Sequence, residues 1–109
     1  MNIIIAGNGK MGSSLTRQLS SEGYSITVID SNATVLESIA NDYDIMTIQG
    51  NCASMDVLLK ANVESADLLI AVTNQDETNL LCCVTAHVLN PDLHTIARIR
   101  NPDYSEQVY

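Results

Sequence analysis

At 109 residues the chain has the length for one domain with a single core. Apolar residues make up 46% and charged residues 17%, which excludes a disordered chain. A formal charge of −8 excludes a general nucleic-acid binder, because no broad basic face offsets phosphate repulsion. One small anion in a local positive site stays compatible with that balance. No apolar run reaches the roughly 20 residues of a membrane span, and the start MNIII has neither the basic region nor the cleavage site of a signal peptide. The cysteines, Cys52, Cys82 and Cys83, lack CxxC and zinc-type spacing, so a reduced, cytoplasmic chain without a metal site is expected.

The first apolar run, Asn2 to Ala6, predicts a strand. A helix follows from Lys10 to Ser21, with Met11, Leu15 and Leu19 on one stripe. Tyr24 to Ile29 predicts the second strand, and Ala33 to Asn41 a helix whose N-cap is Ser31 or Asn32. Asp44 to Gln49 is the third strand. Met55, Leu58 and Leu59 mark a short helix capped by Ser54. Asp67 to Val72 is the fourth strand. The longest helix runs from Asp76 to Leu89, capped by Asn74, with Leu80, Leu81, Val84 and Val88 as its apolar positions. Thr95 to Ile99 is the fifth strand, with Ile96 pointing inward, and Asn101-Pro102-Asp103 opens another helix. Runs such as III and LLIAV are apolar on both faces, which suits parallel strands covered by helices. The expected fold is therefore α/β: a Rossmann-like, doubly wound parallel sheet in a single domain. The final stretch stops in mid-pattern, so residues 1–109 are expected to be a piece of a longer chain, truncated before the last strand of the domain.

Gly7, Gly9 and Gly12 form G-x-G-x-x-G between a strand and a helix, the context that gives this string meaning. Gly7 takes the tight turn, Gly9 leaves room for a pyrophosphate against the backbone, and Gly12 lets the helix pack close to the sheet. Asn8, Lys10 and Met11 complete the phosphate loop; Lys10 either meets a phosphate or points to water. Asp30 ends the second strand where a dinucleotide-binding unit places an acid. Its carboxylate can accept hydrogen bonds from both ribose hydroxyls and repels a 2′-phosphate, so NADP is excluded. Its other candidate role is as N-cap of the next helix, shared with Ser31. In the loop after the third strand, Asn51 is placed to bond a base edge and Cys52 to pack on it, or the loop is an ordinary turn. Thr73 and Asn74 follow the fourth strand at the carboxyl end of the sheet, where ligands bind in such folds. Asp76 and Glu77 suit a helix N-terminus. Arg98, inside the fifth strand and on one face with Arg100, needs a partner there, either a phosphate or an Asp or Glu. Cys82 and Cys83 look like small core residues. His87 lies one turn beyond Cys83, two potential ligands where a closed metal site needs more. His94 looks like a surface residue, and Tyr43 and Tyr104 have no evident partner.

Taken in order, IIIAGNGKMGSSL, VIDSN, IQGNCAS, ADLLIAVTNQDETNLL and IARIRNPDY closely resemble the N-terminal domain of Trk/Ktr-type potassium-uptake regulatory subunits, the RCK or KTN domains. The resemblance covers essentially the whole chain. It implies a domain that binds NAD(H) or ATP/ADP without chemistry. It also implies a homo-oligomer, dimer or ring, at the inner face of the plasma membrane, where ligand exchange gates a membrane potassium channel or transporter subunit. On the matching positions, Gly7 to Gly12 hold phosphates, Asp30 and Ser31 the ribose side, Asn51 and Cys52 the adenine side, Thr73 and Asn74 the neighbouring sugar, and Arg98 a phosphate. Two positions depart from the family pattern. Asn51 stands where an acid is usual, and Lys10 where Ktr members have Arg and Trk members often Gln, which leaves both ATP and NAD open. The alternative is the cofactor domain of an NAD-dependent oxidoreductase, which needs an acid or base near the nicotinamide, often from a second domain.

Overall fold

The structure, a computed structural model, describes residues 1–41 and 44–105. Its elements are β1 (Asn2–Ala6), α1 (Lys10–Ser21), β2 (Ser25–Asp30), α2 (Ala33–Ala40), β3 (Ile45–Gln49), α3 (Met55–Lys60), a 3₁₀ turn (Val63–Ser65), β4 (Leu68–Ala71), α4 (Asp76–Leu89), β5 (His94–Ala97) and α5 (Pro102–Ser105). The five strands form one parallel sheet in the order β3-β2-β1-β4-β5. This is the doubly wound arrangement expected from the alternating runs. The sheet grows outward from β1 in one direction through β2 and β3 and in the other through β4 and β5, so the carboxyl ends of β1 and β4 open a crevice.

Alternation along the strands divides the core between two faces. Ile3, Ile5, Ile26, Val28, Ile70 and Val72 meet Leu36 and Ile39, with Leu15 and Leu19 packed alongside. Ile4, Ala6, Ile29, Leu69 and Ala71 meet Leu58, Ala61, Val63, Cys82, Cys83 and Ala86. Met11 does not join the α1 stripe; it is 44% exposed at the open end of that helix.

One of the two residues expected to cap α2 does so, Ser54 stands at the N-cap position of α3, and the cap expected for α4 is corrected. Asn32, not Ser31 or Asp30, caps α2, its Oδ1 accepting from Thr34 N (2.9 Å) and Val35 N (3.4 Å). Ser54 precedes α3 without a side-chain cap bond. Gln75 rather than Asn74 holds the N-cap position of α4. On α4 the inward face is also not the apolar one. Asp76, Asn79, Cys82, Cys83 and Ala86 are buried, while Leu81, Val84 and Val88 are 55%, 61% and 70% exposed. Small residues let this helix lie close to β4 and β5, a geometry that bulky side chains on the same stripe would prevent.

The fifth strand ends at Ala97, so Arg98 lies just past it, although Arg98 N still donates to Ala71 O (2.9 Å). Ile96 is 53% exposed, contrary to the inward placement expected. β5 is an edge strand, and α4 packs on its other face, where Ala97 joins the cluster. The helix start at Asn101-Pro102 is present, with Asp103 N donating to Asn101 Oδ1 (2.9 Å). Tyr104 finds a partner, its hydroxyl donating to Glu77 Oε2 (2.8 Å). Tyr43 lies outside the described residues.

Candidate functional site

A cavity of about 650 Å³ opens at the carboxyl end of the sheet. It is lined by Gly7, Asn8, Gly9 and Lys10 from the β1–α1 loop, and by Asp30, Ser31, Asn32 and Val35 from the start of α2. Gly50, Asn51 and Cys52 follow β3; Thr73, Asn74, Gln75 and Thr78 follow β4; Arg98 follows β5. Loops far apart in sequence thus converge on the switch point. Of the residues singled out from sequence, Met11 and Gly12 do not line it.

The glycines have separate jobs. Gly7 has φ +105°, and a Cβ there would sit 2.9 Å from Thr73 N, so the first loop is pressed against the loop after β4. Gly12 lies behind the loop, where a Cβ would fall 1.9 Å from Gly7 O, so the first turn of α1 folds directly over the turn before it. A Cβ on Gly9 meets nothing within 4 Å. Its open side borders the cavity at the N-terminus of α1, where unpaired N–H groups and the helix dipole favour an anion.

Asp30 is a latch within the protein as well as a cavity residue. Its Oδ2 accepts from Asn8 N (2.8 Å) and its Oδ1 from Asn32 N (2.9 Å), so one carboxylate joins the glycine loop to the start of α2. Each oxygen keeps lone-pair capacity for a hydroxyl donor. Asn51 Oδ1 accepts from Ala53 N (2.9 Å) in a local turn, which leaves its amide NH₂ for a base edge. Lys10 is exposed on the first turn of α1. Arg98 is half-buried and lines the cavity, and among the described residues its guanidinium has no hydrogen-bond partner. Arg100 turns elsewhere, donating to the carbonyl of Asn74.

Asn79, which sequence reasoning passed over, and Asp76, which it read only as an acid suited to a helix N-terminus, hold the β4 and β5 sides together. Asn79, fully buried, accepts from Thr73 N (2.9 Å) and Thr73 Oγ1 (2.6 Å) and donates to Thr73 O (3.2 Å) and Arg98 O (2.9 Å). The Thr73 hydroxyl is therefore engaged internally, and Asn79 fixes where Arg98 leaves the sheet. Asp76 does more than favour a helix N-terminus: its carboxylate accepts from Arg100 N (3.0 Å) and Asn101 N (2.7 Å).

Those two backbone N–H groups, first Arg100 and then Asn101, hold the Asp76 carboxyl below its ordinary 3.8. A carboxyl depressed in the fold contributes stability above its unfolded value and loses it as pH falls through the folded value. Thermal unfolding of the wild type is thus expected to lose stability below about pH 4, and Asp76→Asn to flatten that acid limb while lowering the melting temperature at neutral pH.

Cys52, at 5% exposure, forms part of the cavity wall, with the fully buried Cys82 of α4 behind it. Its interaction with Cys82 lowers the Cys52 pKa, and the same interaction together with burial raises that of Cys82. Burial pushes Cys83 up to about 11. His87 is exposed while Cys83 is buried. Among the described residues no group of three or more His, Cys, Asp or Glu could hold a metal ion. No described helix is long and apolar enough to cross a membrane.

With this geometry in view, the relatives are informative. The TrkA-N domain matches residues 3–109. The chain belongs to the TrkA-N family. Among its relatives is the Trk system potassium uptake protein TrkA of Vibrio alginolyticus, 41% identical over 95% of this chain and 23% of that protein. The Trk system potassium uptake protein TrkA homolog of Pyrococcus abyssi is 37% identical over 94% of this chain and 45% of its own length. This TrkA-N chain thus spans less than half of either. In three dimensions it is similar to the Kef CTD of Shewanella denitrificans, solved in an AMP-bound form, with a TM-score of 0.84 and 27% identity over 98% of this chain and 64% of that one.

Proposed function

We propose that residues 1–109 are the nucleotide-sensing domain of a longer regulatory subunit of a potassium uptake system. The subunit binds NAD(H) or ATP/ADP, does not bind NADP, and gates a membrane potassium channel or transporter without catalysing a reaction. The observation that carries this is the cavity at the switch point, which the open side of Gly9 at the N-terminus of α1 and the Asp30 carboxylate line together. A phosphate cradle and a ribose acceptor in one cavity are what an adenine nucleotide requires. In this arrangement Gly7, Asn8, Gly9 and Lys10 meet the phosphates, with Met11 and Gly12 shaping the turn behind them. Asp30 and Ser31 meet the ribose, Asn51 and Cys52 the adenine, Thr73 and Asn74 the second sugar or phosphate, and Arg98 a phosphate. The AMP in the Kef structure and the potassium uptake named for the Trk relatives support the ligand class and the setting.

The subunit works as a homo-oligomer, dimer or ring, at the cytoplasmic face of the plasma membrane beneath its transporter. The exposed stripe Leu81, Val84 and Val88 on α4 is apolar surface suited to such assembly. If nucleotide gates the pore, pore state must alter nucleotide affinity by the same factor.

Gly9→Val tests the site directly. Its Cβ enters open space, so stability is expected to stay within about 0.5 kcal/mol of wild type, whereas nucleotide binding by calorimetry is expected to vanish. In cells whose potassium uptake depends on the full-length protein, the same substitution is expected to abolish the uptake response to nucleotide. Tight nucleotide binding by the folded variant would contradict the phosphate assignment.

A further inference from the structure

The carboxyl edge of the sheet sets the order in which the parts of a nucleotide lie. β1, β2 and β3 are neighbours, and their carboxyl ends lead to Gly9, Asp30 and Asn51. With phosphates at Gly9 and ribose at Asp30, the base falls toward β3, where Ser31, Asn32, Val35, Gly50, Asn51 and Cys52 line the cavity. Asn32 and Asn51 are locked the same way round. Asn51 Oδ1 accepts from Ala53 N (2.9 Å), and Asn32 Oδ1 accepts from Thr34 N (2.9 Å) and Val35 N (3.4 Å). A backbone N–H can only donate, so in each case the oxygen faces its own turn and the NH₂ is the end left over. Among the described residues neither NH₂ has a hydrogen-bond partner.

We propose that Asn51 makes the base end of the cavity a reader of purine acceptors, so that hypoxanthine nucleotides bind there as well as adenine ones. This base chemistry rests on the nucleotide-binding function proposed above.

Adenine carries an exocyclic amine, a donor, flanked by ring-nitrogen acceptors. Hypoxanthine carries a carbonyl oxygen at the same carbon and keeps the imidazole ring nitrogen as an acceptor. An amide NH₂ pairs with a ring nitrogen of adenine or with the carbonyl oxygen of hypoxanthine, but never with the amine. Selecting adenine over hypoxanthine needs an acceptor opposite that amine, because an acceptor leaves the carbonyl oxygen unpaired and repelled. Here both asparagine oxygens are taken by backbone N–H groups, and the Asp30 oxygens accept from Asn8 N and Asn32 N and serve the ribose. The Ser31 hydroxyl suits either base, since it both donates and accepts.

Asn51→Asp tests this with the turn preserved. The carboxylate keeps one oxygen for Ala53 N and puts a second acceptor where the NH₂ was. Its charge opposes the phosphates of every nucleotide alike, so the readout is a ratio. Calorimetry compares ADP with IDP, and NAD with nicotinamide hypoxanthine dinucleotide, on the wild-type chain and on the variant. For the pair that binds, the two wild-type Kd values are expected to agree within about threefold. In Asn51→Asp the hypoxanthine ligand is expected to weaken relative to its adenine partner by about tenfold or more, with the melting temperature close to that of wild type. A larger wild-type preference for adenine, or a ratio unchanged by the substitution, would overturn the assignment and leave nucleotide binding standing. Binding of none of these ligands would overturn both.

Discussion

Gly12→Ala is expected to destabilise the fold by about 3 kcal/mol or more, the upper end of what overpacking costs. The new methyl carbon would fall 1.9 Å from the carbonyl oxygen of Gly7, a contact with backbone that no side-chain rotation can relieve. Relief requires α1 to lift away from the β1 turn, and Val72 Cγ2, 3.3 Å from the same point, adds a second tight contact. For a domain of this size each kilocalorie lowers the melting temperature by about 4–8 °C, so the expected drop is roughly 12 °C or more. Gly9→Ala is the matched control, since a Cβ there meets nothing within 4 Å. Equal melting temperatures for the two variants, read by circular dichroism, would contradict this account of the loop.

Asp30→Ala is expected to weaken nucleotide binding by about 1.5–3 kcal/mol, the scale of hydrogen bonds to a charged group, or roughly 10- to 150-fold in Kd. The same substitution removes the acceptor of Asn8 N and Asn32 N, so some stability is lost with it. Asp30→Asn separates the two roles. It keeps one acceptor oxygen for the latch but removes the negative charge that repels a 2′-phosphate. NADP affinity relative to NAD is therefore expected to rise in Asp30→Asn, a change that a purely structural carboxylate would not produce. An unchanged NADP to NAD ratio would remove Asp30 from the ribose site.

The order of strands and helices was legible because each element carries its own periodic pattern, and the glycine loop and Asp30 because their spacing is local to one βαβ unit. The buried clamps were not legible for the opposite reason. Asn79 bonds to Arg98, and Asp76 to Arg100 and Asn101, across gaps with no sequence signal, and only the parallel sheet brings them together. The apolar stripe of α4 points the wrong way for inference from hydrophobicity alone, because close packing on β4 selected Cys82, Cys83 and Ala86 for the inner face. Asn74 resembles a cap by residue type, yet the loop places Gln75 there and uses the Asn74 carbonyl to receive Arg100. At the fifth strand the pattern ran on through Ile99, while the ladder with β4 closes at Ala71 and Ala97.

Under the proposed function, the cavity between the glycine loop and Asp30 takes an adenine nucleotide without a 2′-phosphate. Thermal unfolding of the chain with NAD, NADH, ATP, ADP and NADP, each at one common concentration, tests it most directly. A ligand at about 100 times its Kd adds roughly 2.7 kcal/mol, or about 10 °C or more for a domain of this size. Such a shift is expected with at least one of NAD, NADH, ATP and ADP, and little or none with NADP. No shift with any of them, or an NADP shift equal to that of NAD, would contradict it.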